Sequence, residues 1–154
     1  MRVLVFLFFK NKNDNTWNTF KNLKYKYSFE YPKDWKIQDK GEGFVDFYSN
    51  KGSLIFRDEE MANIVSSGFK IDSKKEIEVA GEKAIKIFSS GGNEPGDTYT
   101  SPLSSDIKMI AITFAKNNIY HLITINNLNE YAEVSDPIEM EKTLDQILKT
   151  IKFK

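Results

Sequence analysis

Cysteine is absent from the 154-residue chain, which removes thiol nucleophiles, iron–sulfur clusters, cysteine zinc sites, disulfides and a lipid-modified cysteine anchor. The compartment stays open, because cytosolic proteins need no disulfide and a bacterial secreted protein can do without one. Histidine occurs once, so a Ser–His–Asp triad would have to use His121, and no Gly-x-Ser-x-Gly elbow accompanies it. His-Glu-x-x-His is missing too, and with it the usual zinc frameworks. Arginine occurs only at Arg2 and Arg57, which leaves few bidentate forks for phosphate or carboxylate. There is no surplus of either charge: 22 basic residues face 22 acidic ones. Nucleic-acid binding draws its affinity from a positive surplus and is not expected. Gly91, Gly92 and Gly96 are followed by no Gly-Lys-Ser/Thr and form no Gly-x-Gly-x-x-Gly, so a phosphate loop is excluded.

What is present describes one domain. About 100 to 200 residues per domain is usual, and a chain of this size sustains a single core without metal or disulfide staples. The hydrophobic fraction of 40% and charged fraction of 29% fit neither a disordered nor a membrane-spanning chain. The expected organisation is an N-terminal apolar and polar segment, residues 1–15, and a single domain over 16–154. Within the first segment, Val3, Leu4, Val5, Phe6, Leu7, Phe8 and Phe9 run consecutively and a polar stretch follows to Asn15. Seven apolar residues are too few to span a bilayer. They fit two templates: the tail of an export signal or anchor that begins upstream, or an extra β-strand.

Strands are expected at 16–20 and 25–31, the second alternating Tyr25, Tyr27, Phe29 and Tyr31 with Lys26, Ser28 and Glu30. Pro32 ends it, Lys33 and Asp34 turn the chain, and Trp35 and Ile37 return it to the core. Residues 44–49 and 53–57 read as a hairpin. From Asp58 the period becomes helical through Met61, Ile64, Val65 and Ile71, with Asp58, Glu59 and Glu60 at the N-terminus and Gly68 at the end. Strands at 76–80 and 83–88 flank Gly81-Glu82, which suits a type II′ turn. Residues 89–105 are the one long loop, either a partner-binding or a disordered segment. Residues 107–115 and 119–126 form the clearest hairpin, joined at Asn117-Asn118, with Phe114 opposite His121, Ile112 opposite Ile123 and Ile110 opposite Ile125. The opposite face carries Ala111, Ala115, Tyr120 and Leu122, so both faces are expected to need cover, implying helices above and below the sheet. At the end, Asp136 caps a helix over 136–149, Pro137 takes its first position, Glu139 completes a capping box, and Met140, Leu144, Ile147, Leu148 and Ile151 form one apolar face.

Three groups invite a chemical reading, and each has a structural explanation. His121 lies on an apolar strand face and is expected to be packed or hydrogen-bonded there. The acidic groups, Asp58-Glu59-Glu60 and Glu130, Glu133, Asp136, Glu139 and Glu141, lack EF-hand spacing and sit at expected helix N-termini, where capping accounts for them. A carboxylate-pair hydrolase remains the rival reading, since spatial separation is not legible from sequence. Lys21, Lys24, Lys26, Lys33 and Lys36 interleave with Phe20, Tyr25, Tyr27, Tyr31 and Trp35, which period-two alternation explains as aromatics inward and lysines solvated.

The string from Tyr25 to Ile37 (Tyr-Lys-Tyr-Ser-Phe-Glu-Tyr-Pro-Lys-Asp-Trp-Lys-Ile) resembles the opening of the PsbP-like family, where an aromatic strand runs into Pro-x-x-Trp. Val45 to Tyr48 resembles the family's next strand, Glu59 to Gly68 its short helix, Ile77 to Ile87 its following hairpin, and Asp145 to Phe153 its closing helix and strand. The resemblance covers roughly Thr16 to Lys154 and lies in the order of the motifs. It implies an α+β fold, an α/β/α sandwich with a central antiparallel sheet, and non-catalytic accessory or binding roles, commonly in exported proteins and lipoproteins. No catalytic, cofactor-binding or metal residue is carried over, because the lipobox cysteine and the histidines of some members have no counterpart here. The expectation is therefore a monomeric, exported binding module with an unidentified protein partner, meeting a membrane only through an N-terminal anchor.

Overall fold

A computed structural model describes residues 16–39, 43–58, 69–92, 104–128 and 133–154. Residues 1–15, the expected helix at 59–67 and most of the 89–105 loop therefore lie outside the described residues. Ten strands and one helix are described: β1 (Trp17–Asn22), β2 (Tyr27–Pro32), β3 (Lys36–Asp39), β4 (Phe44–Ser49), β5 (Gly52–Asp58), β6 (Phe69–Val79), β7 (Glu82–Gly91), β8 (Lys108–Lys116), β9 (Ile119–Asn126), α1 (Pro137–Thr150) and β10 (Lys152–Phe153). They build a seven-stranded sheet in the order β3-β4-β5-β9-β8-β7-β6 and a three-stranded sheet in the order β1-β2-β10. Every described pairing is antiparallel.

One face of the large sheet carries the main core. Alternation along β4, β5, β8 and β9 points Val45, Phe47, Leu54, Phe56, Ile110, Ile112, Ile123 and Ile125 to that side, all buried. The small sheet and α1 cover it together. Phe29 stacks on Phe56 at 4.8 Å between ring centroids and meets Phe47 at 5.5 Å, while Met140, Leu144, Ile147 and Leu148 of α1 complete the cluster. The helix starts as expected: the Asp136 carboxylate accepts from the Ile138 N–H and Pro137 opens the first turn. Glu139 does not close a capping box, because its carboxylate turns to Lys142 instead.

The opposite face holds two smaller buried groups, Phe69 with Ile107 and Met109, and Ile87 with Ala111 and Leu122. Two-sided burial thus holds in the middle of the β8–β9 hairpin. It fails at the tip, where Ala115 is exposed and Tyr120 is 53% exposed.

The β8–β9 register pairs Phe114 with His121, Ile112 with Ile123 and Ile110 with Ile125, as the sequence implies, and Asn117 and Asn118 both take positive φ in the turn. Elsewhere the expected elements move. The β6–β7 turn is Ala80-Gly81, both at positive φ, rather than Gly81-Glu82; Glu82 already belongs to β7. That makes it a type I′ connection, whose twist matches the flanking strands. Strand β1 runs on to Asn22, whose side-chain oxygen accepts the Tyr25 N–H, so Tyr25 lies in a four-residue turn with left-handed Lys26 rather than in a strand. Ile71 is a β6 residue, not the last residue of a helical pattern. Ile37 sits on β3, an edge strand, and stays 42% exposed instead of entering the core.

Candidate functional site

A buried cluster of polar side chains forms where the two sheets face each other. Asp58 ends β5 directly opposite His121 of β9, a cross-strand pair on the core face. Both side chains are sealed, 0% and 1% exposed, with Asp58 Oδ1 2.6 Å from His121 Nδ1. From the small sheet, the Tyr27 hydroxyl donates to Asp58 Oδ2 at 2.8 Å, and the Asn22 amide reaches the same oxygen at 3.4 Å and the Tyr27 hydroxyl at 3.3 Å. The imidazole lies among aromatic rings: Phe114 stacked at 5.0 Å, Phe153 at 5.1 Å, and Tyr27 edge-on at 5.6 Å. Burial, then the Asp58 carboxylate, raises the Tyr27 phenol far above its ordinary value of 10.0. A closed cluster of this kind satisfies its own donors and acceptors, and it ties β1, β2, β5 and β9 into one unit.

His121 is accordingly hydrogen-bonded and packed, as its strand position implies. Asp58 is the correction. It is the last residue of β5, and its carboxylate is the partner of His121. Period-two counting from Leu54 through Phe56 reaches Asp58 on the core face, a signal that the neighbouring acidic residues obscure.

A second buried charge sits under α1. Lys86, on β7, is 7% exposed and donates to Glu141 at 2.7 Å and to Asp145 at 2.9 Å, two residues four apart on the helix. Burial pushes its ammonium toward neutrality, but the hydrogen bonds it donates to Glu141 and Asp145 outweigh that, so it titrates above its ordinary 10.5. Lys86 lies on the floor of an open groove of about 520 Å³ between the β6–β7 hairpin and α1, with Ile77, Phe88, Leu148 and Ile151 as apolar walls. Of the second acidic group, Asp136 caps α1, Glu139 pairs with Lys142, and Glu141 pairs with Lys86. Glu59, Glu60 and Glu130 lie outside the described residues. Among the described residues no three His, Asp or Glu side chains come together as a metal site, and no helix is long and apolar enough to cross a membrane.

The lysines interleaved with aromatics divide as the alternation implies. Lys21, Lys24, Lys26, Lys33 and Lys36 are exposed, whereas Tyr25, Tyr27, Tyr31 and Trp35 are buried and Phe20 is half-buried against the core.

The layout of two antiparallel sheets with a C-terminal helix and closing strand matches a solved protein. The cyanobacterial PsbP of Synechocystis sp. PCC 6803 superposes with a TM-score of 0.61 over 90% of this chain and 93% of its own, at 10% identity. The fold is PsbP-like. A structure from Bacteroides thetaiotaomicron VPI-5482 shares this PsbP-like arrangement at a TM-score of 0.57 and 13% identity, covering 90% of this chain but 49% of that one. No family model matches the sequence, and no curated protein does.

Proposed function

We propose that this PsbP-like domain is a non-catalytic accessory or binding module, monomeric and working outside the cytoplasm, with a protein partner. The observation that carries the reading is the fate of the one histidine: His121 is held between Asp58 and three aromatic rings, away from solvent. Among the described residues, the carboxylates that converge, Glu141 and Asp145, share the ammonium of Lys86. The outer strand β6 supports the monomeric reading, because Lys70, Asp72, Lys74, Lys75, Glu76 and Glu78 place charges along it that discourage edge-to-edge pairing.

We further propose that residues 59–67 form the second helical layer of an α/β/α sandwich, covering part of the sheet on the side of Ile87, Ala111 and Leu122. Met61→Asp or Ile64→Asp should then destabilise the domain; unchanged stability would leave that face with some other cover.

The binding reading is tested by cross-linking in the native cell followed by recovery of the chain with its partner. Hydrolysis of a glycoside panel that disappears with Glu141→Gln or Asp145→Asn would replace it with the carboxylate enzyme. Location is tested by fractionation and by deleting residues 1–12. Under the export reading solubility improves and the melting temperature hardly moves. A loss of several kcal/mol, at about 25 cal/mol per Å², would make residues 3–9 a strand of a cytoplasmic interaction protein.

A further inference from the structure

The net charge of the chain is zero, yet the three-stranded sheet concentrates one sign on its outer face. Cross-strand partners share a face, and the register aligns Lys21 of β1 with Ser28 of β2 and Lys152 of β10. One step further along, the Lys154 N–H donates to the Lys26 carbonyl at 2.8 Å, which sets those two residues side by side. All four lysines are exposed, and among the described residues no carboxylate pairs with any of them. Within the three strands Glu30 is the one acidic residue; it shares the outer face but stands two residues along β2 from Ser28, so the positive charge gathers at the Lys26–Lys154 end of that face.

The lysines do not ring a polar site. Lys21, Lys26 and Lys154 border a shallow, mainly apolar recess of about 120 Å³ with Leu23, and Leu23, in the β1–β2 turn, is 87% exposed. An exposed apolar side chain in a hairpin turn beside a row of lysines has the composition of an interfacial membrane contact: ammonium groups at headgroup level and an aliphatic group below them. Lysine rather than arginine also fits, because a diffuse anionic surface asks for charge and not for a planar fork.

We propose that this face, Leu23 with Lys21, Lys26, Lys152 and Lys154, docks on an anionic lipid surface. It is a contact distinct from residues 1–15, and it goes beyond the binding-module reading, which survives if this contact fails. The register sets the lysines side by side on one outer face. The aromatic core directly behind them, Tyr27, Phe29 and Phe153, keeps that face stiff.

The experiment uses the full chain with vesicles of phosphatidylcholine alone or with about 30% phosphatidylglycerol. The pure phosphatidylcholine vesicles measure any binding that is independent of lipid charge, that of residues 3–9 included. The proposal expects additional binding to the anionic vesicles that falls steeply between about 0.05 and 0.5 M salt. It also expects a loss of about fivefold for each of Lys21→Gln, Lys26→Gln, Lys152→Gln and Lys154→Gln. Lys70→Gln with Lys74→Gln, on the distant β6, should change nothing. Because the chain has no cysteine, Leu23→Cys takes a single environment-sensitive fluorophore, whose emission should shift to the blue on anionic vesicles. Equal binding to both vesicle types overturns the proposal, as does insensitivity to the four substitutions in variants that melt like the parent. Binding of a soluble polyglutamate with the same lysine dependence, and no fluorophore shift on vesicles, would assign the face to an acidic protein instead.

Discussion

Tyr27→Phe isolates one hydrogen bond in the sealed cluster and leaves the rest of its surroundings in place. The ring keeps its stacking on Phe56 at 5.2 Å and its edge contact with His121, while Asp58 Oδ2 loses a donor at 2.8 Å. Asn22 stands 3.4 Å from that oxygen and replaces the lost donor only in part. A hydrogen bond to a carboxylate contributes about 1.5–3 kcal/mol, and in a domain of this size that lowers the melting temperature by roughly 3–12 °C. Urea and thermal unfolding at neutral pH measure it. The same variant has a second signature at high pH. Because the folded phenol titrates above its ordinary 10.0, the unfolded chain releases that proton first. The contribution of Tyr27 is complete below pH 10 and declines above it, by about 1.4 kcal/mol per pH unit until the folded phenol itself ionises. Tyr27→Phe removes that slope, so the variant and the parent converge in stability as the solution is made alkaline. A neutral-pH loss under about 0.5 kcal/mol, or parallel curves above pH 10, would refute the reasoning, since a cluster open to water would behave that way.

Lys86→Met should be nearly neutral, within about 1–2 kcal/mol, because Glu141 and Asp145 reach solvent and regain water when the ammonium is gone. Its raised titration point adds a further alkaline loss above the ordinary 10.5, which the variant should lack in a pH series of urea midpoints. Gly52→Ala should cost at least about 2 kcal/mol by chemical denaturation: its φ of 148° is unfavourable for a side chain, and a Cβ there would collide with the Asn126 carbonyl oxygen. Leu144→Ala and Ile147→Ala should each cost about 2–5 kcal/mol, both being fully buried; a loss below 0.5 kcal/mol would mean that α1 does not seal the core.

The parts of the fold that sequence makes visible are those where a local rule and the tertiary environment agree. In β8–β9, two asparagines tolerant of left-handed backbone sit between apolar runs, and the register follows. In α1, Asp136, Pro137 and the spacing of Met140, Leu144 and Ile147 all specify one start and one buried face. Misplacement occurs where a local signal has two explanations. Ala80 accepts positive φ because the β6–β7 ladder on either side enforces the twist, so glycine marks the second central residue of the turn and not the first. Tyr25 continues the alternation of β2 in sequence, but the Asn22 side chain turns the chain before it. Asp58 followed by two glutamates reads as a helix start, and only the pairing of β5 with β9, a contact between distant parts of the chain, reveals that its side chain faces His121. Most of the deep cluster was therefore hidden, because its members come from four strands whose adjacency is a property of topology.

That topology also sets a clock. The hairpins β4–β5, β6–β7 and β8–β9 each close over short turns, on the microsecond scale of isolated hairpins. The seam between β5 and β9 joins Ser53 to Asn126, and β10 must return to β2 from the far end of the chain, so each closes a long loop before any contact rewards it. Folding should therefore wait on the seam. Leu54→Ala and Ile125→Ala, a facing pair across it, should slow refolding, whereas Val79→Ala at the outer hairpin should mainly hasten unfolding. Until the seam forms, the apolar inner faces of the two halves are exposed together, and it is this interval, rather than the stability of the finished sheet, that governs how much of the chain is lost to aggregation at high concentration.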